Sequence, residues 1–109
     1  MIAATPPATA ERIHNLVLNL RSFDSLARQV WGGDAALITL QIDTTLIRID
    51  KARRGPRAKL VKELATLQKQ GNVALKTLDP GGSALAQDAI HSLRTNLTLF
   101  RRVLKRLSR

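Results

Sequence analysis

The sequence predicts an all-α protein, an antiparallel up-down-up-down four-helix bundle, and three observations carry that prediction. Apolar residues recur at alternating spacings of three and four along four separate stretches, which is the seam of a helix packed lengthwise on other helices. Those stretches are divided by short Gly and Pro punctuation at Gly32-Gly33, Gly55-Pro56 and Asp79-Pro80-Gly81-Gly82. The apolar residues are almost all aliphatic, Phe23, Trp31 and Phe100 being the only aromatics, so the core must be built from Leu, Ile, Val and Ala. Four helices of similar length joined by turns this short must alternate in direction. A chain of 109 residues is one domain by size, long enough to bury a modest core of its own.

Met1 to Ala8 reads as a loose tail of Ala, Thr and Pro, leaving residues 9–109 as the domain. Thr5 or Thr9 starts the first helix, since Pro6 and Pro7 are tolerable only in a first turn. Its seam is Ile13, Leu16, Leu20, Phe23, Ala27 and Val30, and Gly32-Gly33 ends it after Trp31. Asp34 is a suitable cap for the second helix, whose seam runs Ala35, Ile38, Ile42, Thr45, Ile49 and Ala52 up to Gly55-Pro56. Ile38, Leu40, Ile42, Thr44 and Leu46 also alternate with period two, so a strand competes here. The helix is favoured because the segment continues without a turn signal well beyond a usual strand, and a lone strand would have no partner.

Pro56 opens the third helix, with seam Leu60, Leu64, Leu67, Gly71, Ala74 and Leu78. The register runs on across Gly71-Asn72, which predicts one helix, weakened by about 1 kcal/mol relative to Ala at Gly71, with a break there as the alternative. Ser83 then caps the fourth helix, whose seam is Ile90, Leu93, Leu97, Phe100, Leu104 and Leu107 and whose end is basic.

The net charge of +10 favours anionic partners: nucleic acid, acidic lipid headgroups or an acidic protein. In an alternating bundle the turn between helices two and three lies at the same end as both chain termini. Lys51, Arg53, Arg54, Arg57, Lys59 and Lys62 therefore meet Arg101, Arg102, Lys105, Arg106 and Arg109 at one pole. With Arg12 this end holds twelve Lys and Arg against Glu11, Asp50 and Glu63, a net +9, which leaves +1 for the rest of the chain. One or two cations per helix C-terminus would offset the helix dipoles, so eleven clustered cations point to anion binding. Arg54-Gly55-Pro56-Arg57 would set two guanidinium groups on an exposed turn, suited to bidentate phosphate contact. Phe100, the one aromatic near this pole, belongs to the seam, so phosphate contact rather than base stacking is expected.

Two further features bear on function. His91-Ser92-Leu93-Arg94-Thr95-Asn96-Leu97-Thr98 resembles the H-box of sensor histidine kinases, in which a phospho-accepting His precedes an acidic residue, Leu, Arg, Thr, Pro and Leu. The resemblance covers eight residues, with Ser92 and Asn96 where that family has the acidic residue and the proline, and it implies phosphotransfer through His91 on the outward face of the helix. Helix two carries Leu37, Leu40, Thr44 and Ile47 at helical spacing outside its seam, a second apolar stripe that would serve a protein–protein adaptor or a homo-oligomer unless neighbouring helices cover it.

No catalytic signature is complete, so no enzyme activity and no small-molecule substrate are expected. The chain has no cysteine, which removes thiol chemistry and thiolate metal sites. His14 and His91 have no second ligand at helical metal spacing, no Gly-rich loop follows a strand, and the acidic residues are scattered outside the seams. Neither a metal, a cofactor nor a carboxylate pair for acid–base work is expected. The chain has no long apolar run, and Met1 to Ala10 lacks the basic start and apolar block of a signal peptide. The expectation is an intracellular protein, soluble or peripherally attached to a membrane.

Overall fold

Four helices form in chain order: α1 (Pro7–Trp31), α2 (Ala36–Ala52), α3 (Arg57–Thr77) and α4 (Ala84–Leu107). A computed structural model describes residues 5–108, and at Asp34 the backbone alone. Among the described residues there is no strand. α1 packs on α2 and α4, and α3 packs on the same two, so the helices stand at the corners of a square with α1 opposite α3 and α2 opposite α4. The bundle measures 51 × 20 × 20 Å. Pairs across the interfaces fix the alternating direction: His14 meets Asp50, Thr45 meets Gln70, and Gln68 meets the carbonyl of Leu97.

The local starts and stops follow from backbone chemistry. α1 begins at Pro7, inside the segment expected to be tail, and its N-cap position is Pro6 rather than Thr5 or Thr9. Proline at the first helical position forgoes an N–H that would be unpaired in any case, and Ala10 N–H donates to Pro6 O at 3.0 Å. Gly32 stops α1 by taking φ 54°, which costs a glycine nothing. A 3₁₀ turn over Gly32–Asp34 follows, so the N-cap of α2 is Ala35 and not Asp34, whose side chain lies outside the described residues. Ser83 caps α4 by accepting from Ala86 N–H at 3.3 Å. α3 runs unbroken through Gly71-Asn72.

α2 accommodates its β-branched polar residues inside a helix. The hydroxyls of Thr39 and Thr44 donate to the carbonyls of Ala35 and Leu40 at 3.1 and 2.8 Å, one turn back. Ile42, Thr45, Leu46, Ile49 and Ala52 then form one buried face at helical spacing.

The core is an aliphatic column with Phe23 and Phe100 fully enclosed. Every expected seam residue of α3 is buried, as is that of α1 apart from half-buried Val30. α4 is rotated slightly from expectation: Ile90 and Leu104 lie at the edge of the core, while Ala89, Asn96 and Val103 complete its buried face. Asn96 is accommodated there by donating to Ser92 O at 2.8 Å. At the end away from the termini, Trp31 Nε1 donates to Asp79 O at 2.8 Å and ties the α1–α2 turn to the α3–α4 turn.

Candidate anion-binding surface

The basic pole is assembled by the end of α2, the start of α3 and the end of α4, with the start of α1 beside them. Lys51, Arg54, Lys59 and Lys62 are exposed at the α2–α3 end, and Arg101, Arg102, Lys105 and Arg106 are exposed along α4. Arg57 is half-buried, so of the two turn guanidiniums expected in the open only that of Arg54 is fully so. Arg109 lies outside the described residues.

Arg53 has a different position from its neighbours. Its Nε donates to Asp50 Oδ1 at 2.7 Å, and His14 Nδ1 lies 3.2 Å from the same oxygen, so the three side chains join the start of α1 to the end of α2. The Arg53 guanidinium, with His14 adding to it, holds the Asp50 carboxyl below the ordinary aspartate range against the opposing effect of burial. Glu63, expected among the exposed acids, is instead buried at the α2–α3 interface. Arg48 Nη2 donates to its Oε1 at 2.9 Å, and its Oε2 has no protein partner among the described residues. Two of the three acidic groups at this pole are thus already engaged by arginines, which leaves Glu11.

The basic surface also extends beyond the pole, along α4. Arg94, Thr95, Thr98, Arg101, Arg102, Lys105 and Arg106 are all exposed, and no acidic residue follows Asp88. Two grooves flank the helix. The α3–α4 groove, about 420 Å³, is lined by Arg94 and Arg101 with Gln68, Asn72 and Thr98. The α1–α4 groove, about 350 Å³, has Arg12, Arg102 and Arg106 above an apolar floor of Leu16, Leu99 and Val103. Arg94 was absent from the basic cluster expected from the sequence. The signal was present in its spacing from Thr98, Arg101 and Lys105, which repeats the helical period opposite the seam.

His91 is exposed on the outward face of α4, as expected, in a shallow depression with Arg94, Thr95 and Thr98. Leu37, Leu40 and Ile47 on α2 are 67%, 55% and 42% exposed, so the neighbouring helices do not cover the second apolar stripe. At the α1–α2 interface one carboxyl is perturbed by its surroundings. Burial raises the Asp24 carboxyl above its ordinary value; Arg28, 3.3 Å away, opposes the rise, and the charge of Asp43 adds to it. Asp24 and Asp43 are 19 positions apart in the chain, on two helices that pack side by side. Among the described residues no three His, Asp or Glu converge on a common point, and no helix is long and apolar enough to cross a membrane.

Comparison with protein-family models, with curated proteins and with solved structures gives no match, so the functional reading rests on the chain's own residues.

Proposed function

We propose that the bundle is a non-enzymatic interaction module that binds an anionic partner, a nucleic-acid backbone or an acidic membrane surface, through its basic pole. The observation that supports this most is the convergence of exposed Lys51, Arg54, Lys59 and Lys62 with exposed Arg101, Arg102, Lys105 and Arg106, while Asp50 and Glu63 are already held by Arg53 and Arg48. Cations packed this closely repel one another, and a polyanion relieves that repulsion while releasing its own counterions. Engagement of about five phosphates would make affinity for duplex DNA fall with salt at a log-log slope near −4.5. The test is titration of the chain against duplex DNA and against anionic vesicles over a range of salt. Reversal of Arg54, Lys59 and Lys62 to Glu should abolish binding with helicity intact. Absence of binding to either ligand at low ionic strength would reduce the pole to a solvated surface.

A second reading has its own support. The exposed Leu37, Leu40 and Ile47 on α2 favour a protein–protein contact, as an adaptor or between copies of this chain. The two readings use different faces of the bundle and are compatible.

A further inference from the structure

We infer that α4 itself is the element that enters the partner, and that the partner is B-form duplex DNA, whose major groove receives the basic ridge. This rests on the anion-binding reading and narrows it. Four cations of α4 stand on two shoulders: Arg94 and Arg101 line the groove toward α3, while Arg102 and Arg106 line the groove toward α1 together with Arg12; exposed Lys105 lines neither. Between the shoulders the outward face carries the short side chains Thr95 and Thr98, both exposed. From Arg94 to Arg106 the helix rises about 18 Å, more than three turns without an acidic residue.

That shape discriminates among polyanions. A flat bilayer would meet the crown of the ridge and leave the shoulder arginines directed along its surface. Membrane insertion would also need an apolar wedge beside the cations, and the exposed large apolar residues Leu18, Leu37, Leu40, Ile47 and Val73 lie on the other three helices, while Leu85 lies in the first turn of α4, nine residues before Arg94. A concave partner with anionic walls matches cations on both flanks. A helix with its side chains is about 10–12 Å across, and the major groove of B-DNA is about 12 Å wide with a phosphate strand on each rim. α4 stands at a corner of the square, with α1 and α3 receding on either side, so it can be presented without unpacking the bundle. In A-form RNA the major groove is too deep and narrow for side chains to read, so duplex RNA is not the fitting partner. The shoulder arginines contact the two phosphate strands, and the Thr95 and Thr98 side chains face the base edges, where they discriminate only weakly.

The experiment measures binding of the full chain, by fluorescence anisotropy, to B-form duplex DNA, to duplex RNA of the same sequence, and to DNA carrying bulky substituents at pyrimidine C5, which project into the major groove. Anionic vesicles form a fourth arm. The wild type should bind plain DNA at least about tenfold more tightly than RNA or the substituted duplex. Arg94→Gln should lower the log-log salt slope on DNA by about 1, and Arg94→Glu with Thr98→Glu should weaken DNA binding by more than about tenfold with the circular-dichroism spectrum unchanged. If these α4 variants bind DNA normally while reversal of Arg54, Lys59 and Lys62 abolishes it, the pole acts without the ridge and the inference falls. Equal binding to the substituted duplex, or binding to vesicles alone, overturns it while leaving the anion-binding reading intact. Binding to none of the four overturns both.

Discussion

Gly71 on α3 faces Leu97 on α4 so closely that a Cβ placed at position 71 would lie 2.5 Å from both methyl carbons of Leu97. The contact is reinforced one turn earlier on α3, where Gln68 Nε2 donates to Leu97 O at 2.6 Å. In an isolated helix Gly71→Ala would be favourable by about 1 kcal/mol. In the bundle Leu97 is buried and its methyls would have to be displaced toward the α3–α4 groove that it lines, so overpacking of about 1–3 kcal/mol should outweigh the gain. Gly71→Ala should therefore destabilise in urea titration. Leu97→Ala should cost about 2–5 kcal/mol, and in that background Gly71→Ala should become favourable. An unchanged effect of Gly71→Ala in the two backgrounds would show that the contact is not strained.

Glu63 illustrates the opposite case, a polar group kept in the interior by one partner. Arg48→Ala should leave its carboxylate buried without a donor and cost about 1–3 kcal/mol. Glu63→Leu, which removes the buried charge and fills the space, should be neutral or stabilising. A double variant no less stable than Glu63→Leu alone would assign the cost of Arg48→Ala to the stranded carboxylate; a further loss would assign it to packing.

Asp50 and Asp24 should give opposite pH responses. The Asp50 carboxyl is depressed in the fold by Arg53, so its contribution is complete above the ordinary aspartate value of about 3.9 and is lost as pH falls through its folded value. Asp50 is partly exposed, so Asp50→Asn should cost only about 0.5–1 kcal/mol at neutral pH, and the difference from wild type should shrink in acid. Asp24 is raised by burial, so its penalty appears as pH rises from the ordinary value through the folded one and is complete at neutral pH. Asp24→Asn should then stabilise by about 0.5–2 kcal/mol at neutral pH, with no gain in acid. Thermal melts from pH 3 to 7 would reveal both trends, and parallel curves would refute them.

The exposed stripe on α2 predicts self-association at high concentration. Leu40→Glu with Ile47→Glu should yield a folded monomer, because both side chains point outward and neither supports the core. Sedimentation of the wild type as a monomer at every concentration would remove the case for homo-oligomers and leave only a different partner chain.

For His91 the expected outcome is that no acid-labile phosphoryl group forms with a small phosphodonor. Position 92, where the H-box carries an acidic residue, is the half-buried Ser92. Labelling that disappears in His91→Gln would promote the phosphotransfer reading.

The sequence by itself determined the number of helices, their turns and most of the core. These are local properties: a 3.6-residue period selects Leu60, Leu64, Leu67 and Ala74 as one face, and Gly32 and Ser83 end and start helices through their own backbone and side-chain chemistry. It also placed the cations of the α2–α3 turn and of α4 at one end, because alternating helices leave no other arrangement. Only the tertiary structure decided what those charges face. Arg53 and Arg54 are adjacent in the chain, yet one is bound to Asp50 and the other is open to solvent. Glu63 turned inward to Arg48, and Arg94 lined the α3–α4 groove beside Arg101. The physical reason is rotation about the helix axis. A turn of one residue position moves a side chain by about 100°, from core to groove to solvent, at little change in the apolar pattern. That angle is set by packing contacts such as Gly71 against Leu97, made between residues far apart in the chain and close only in the fold.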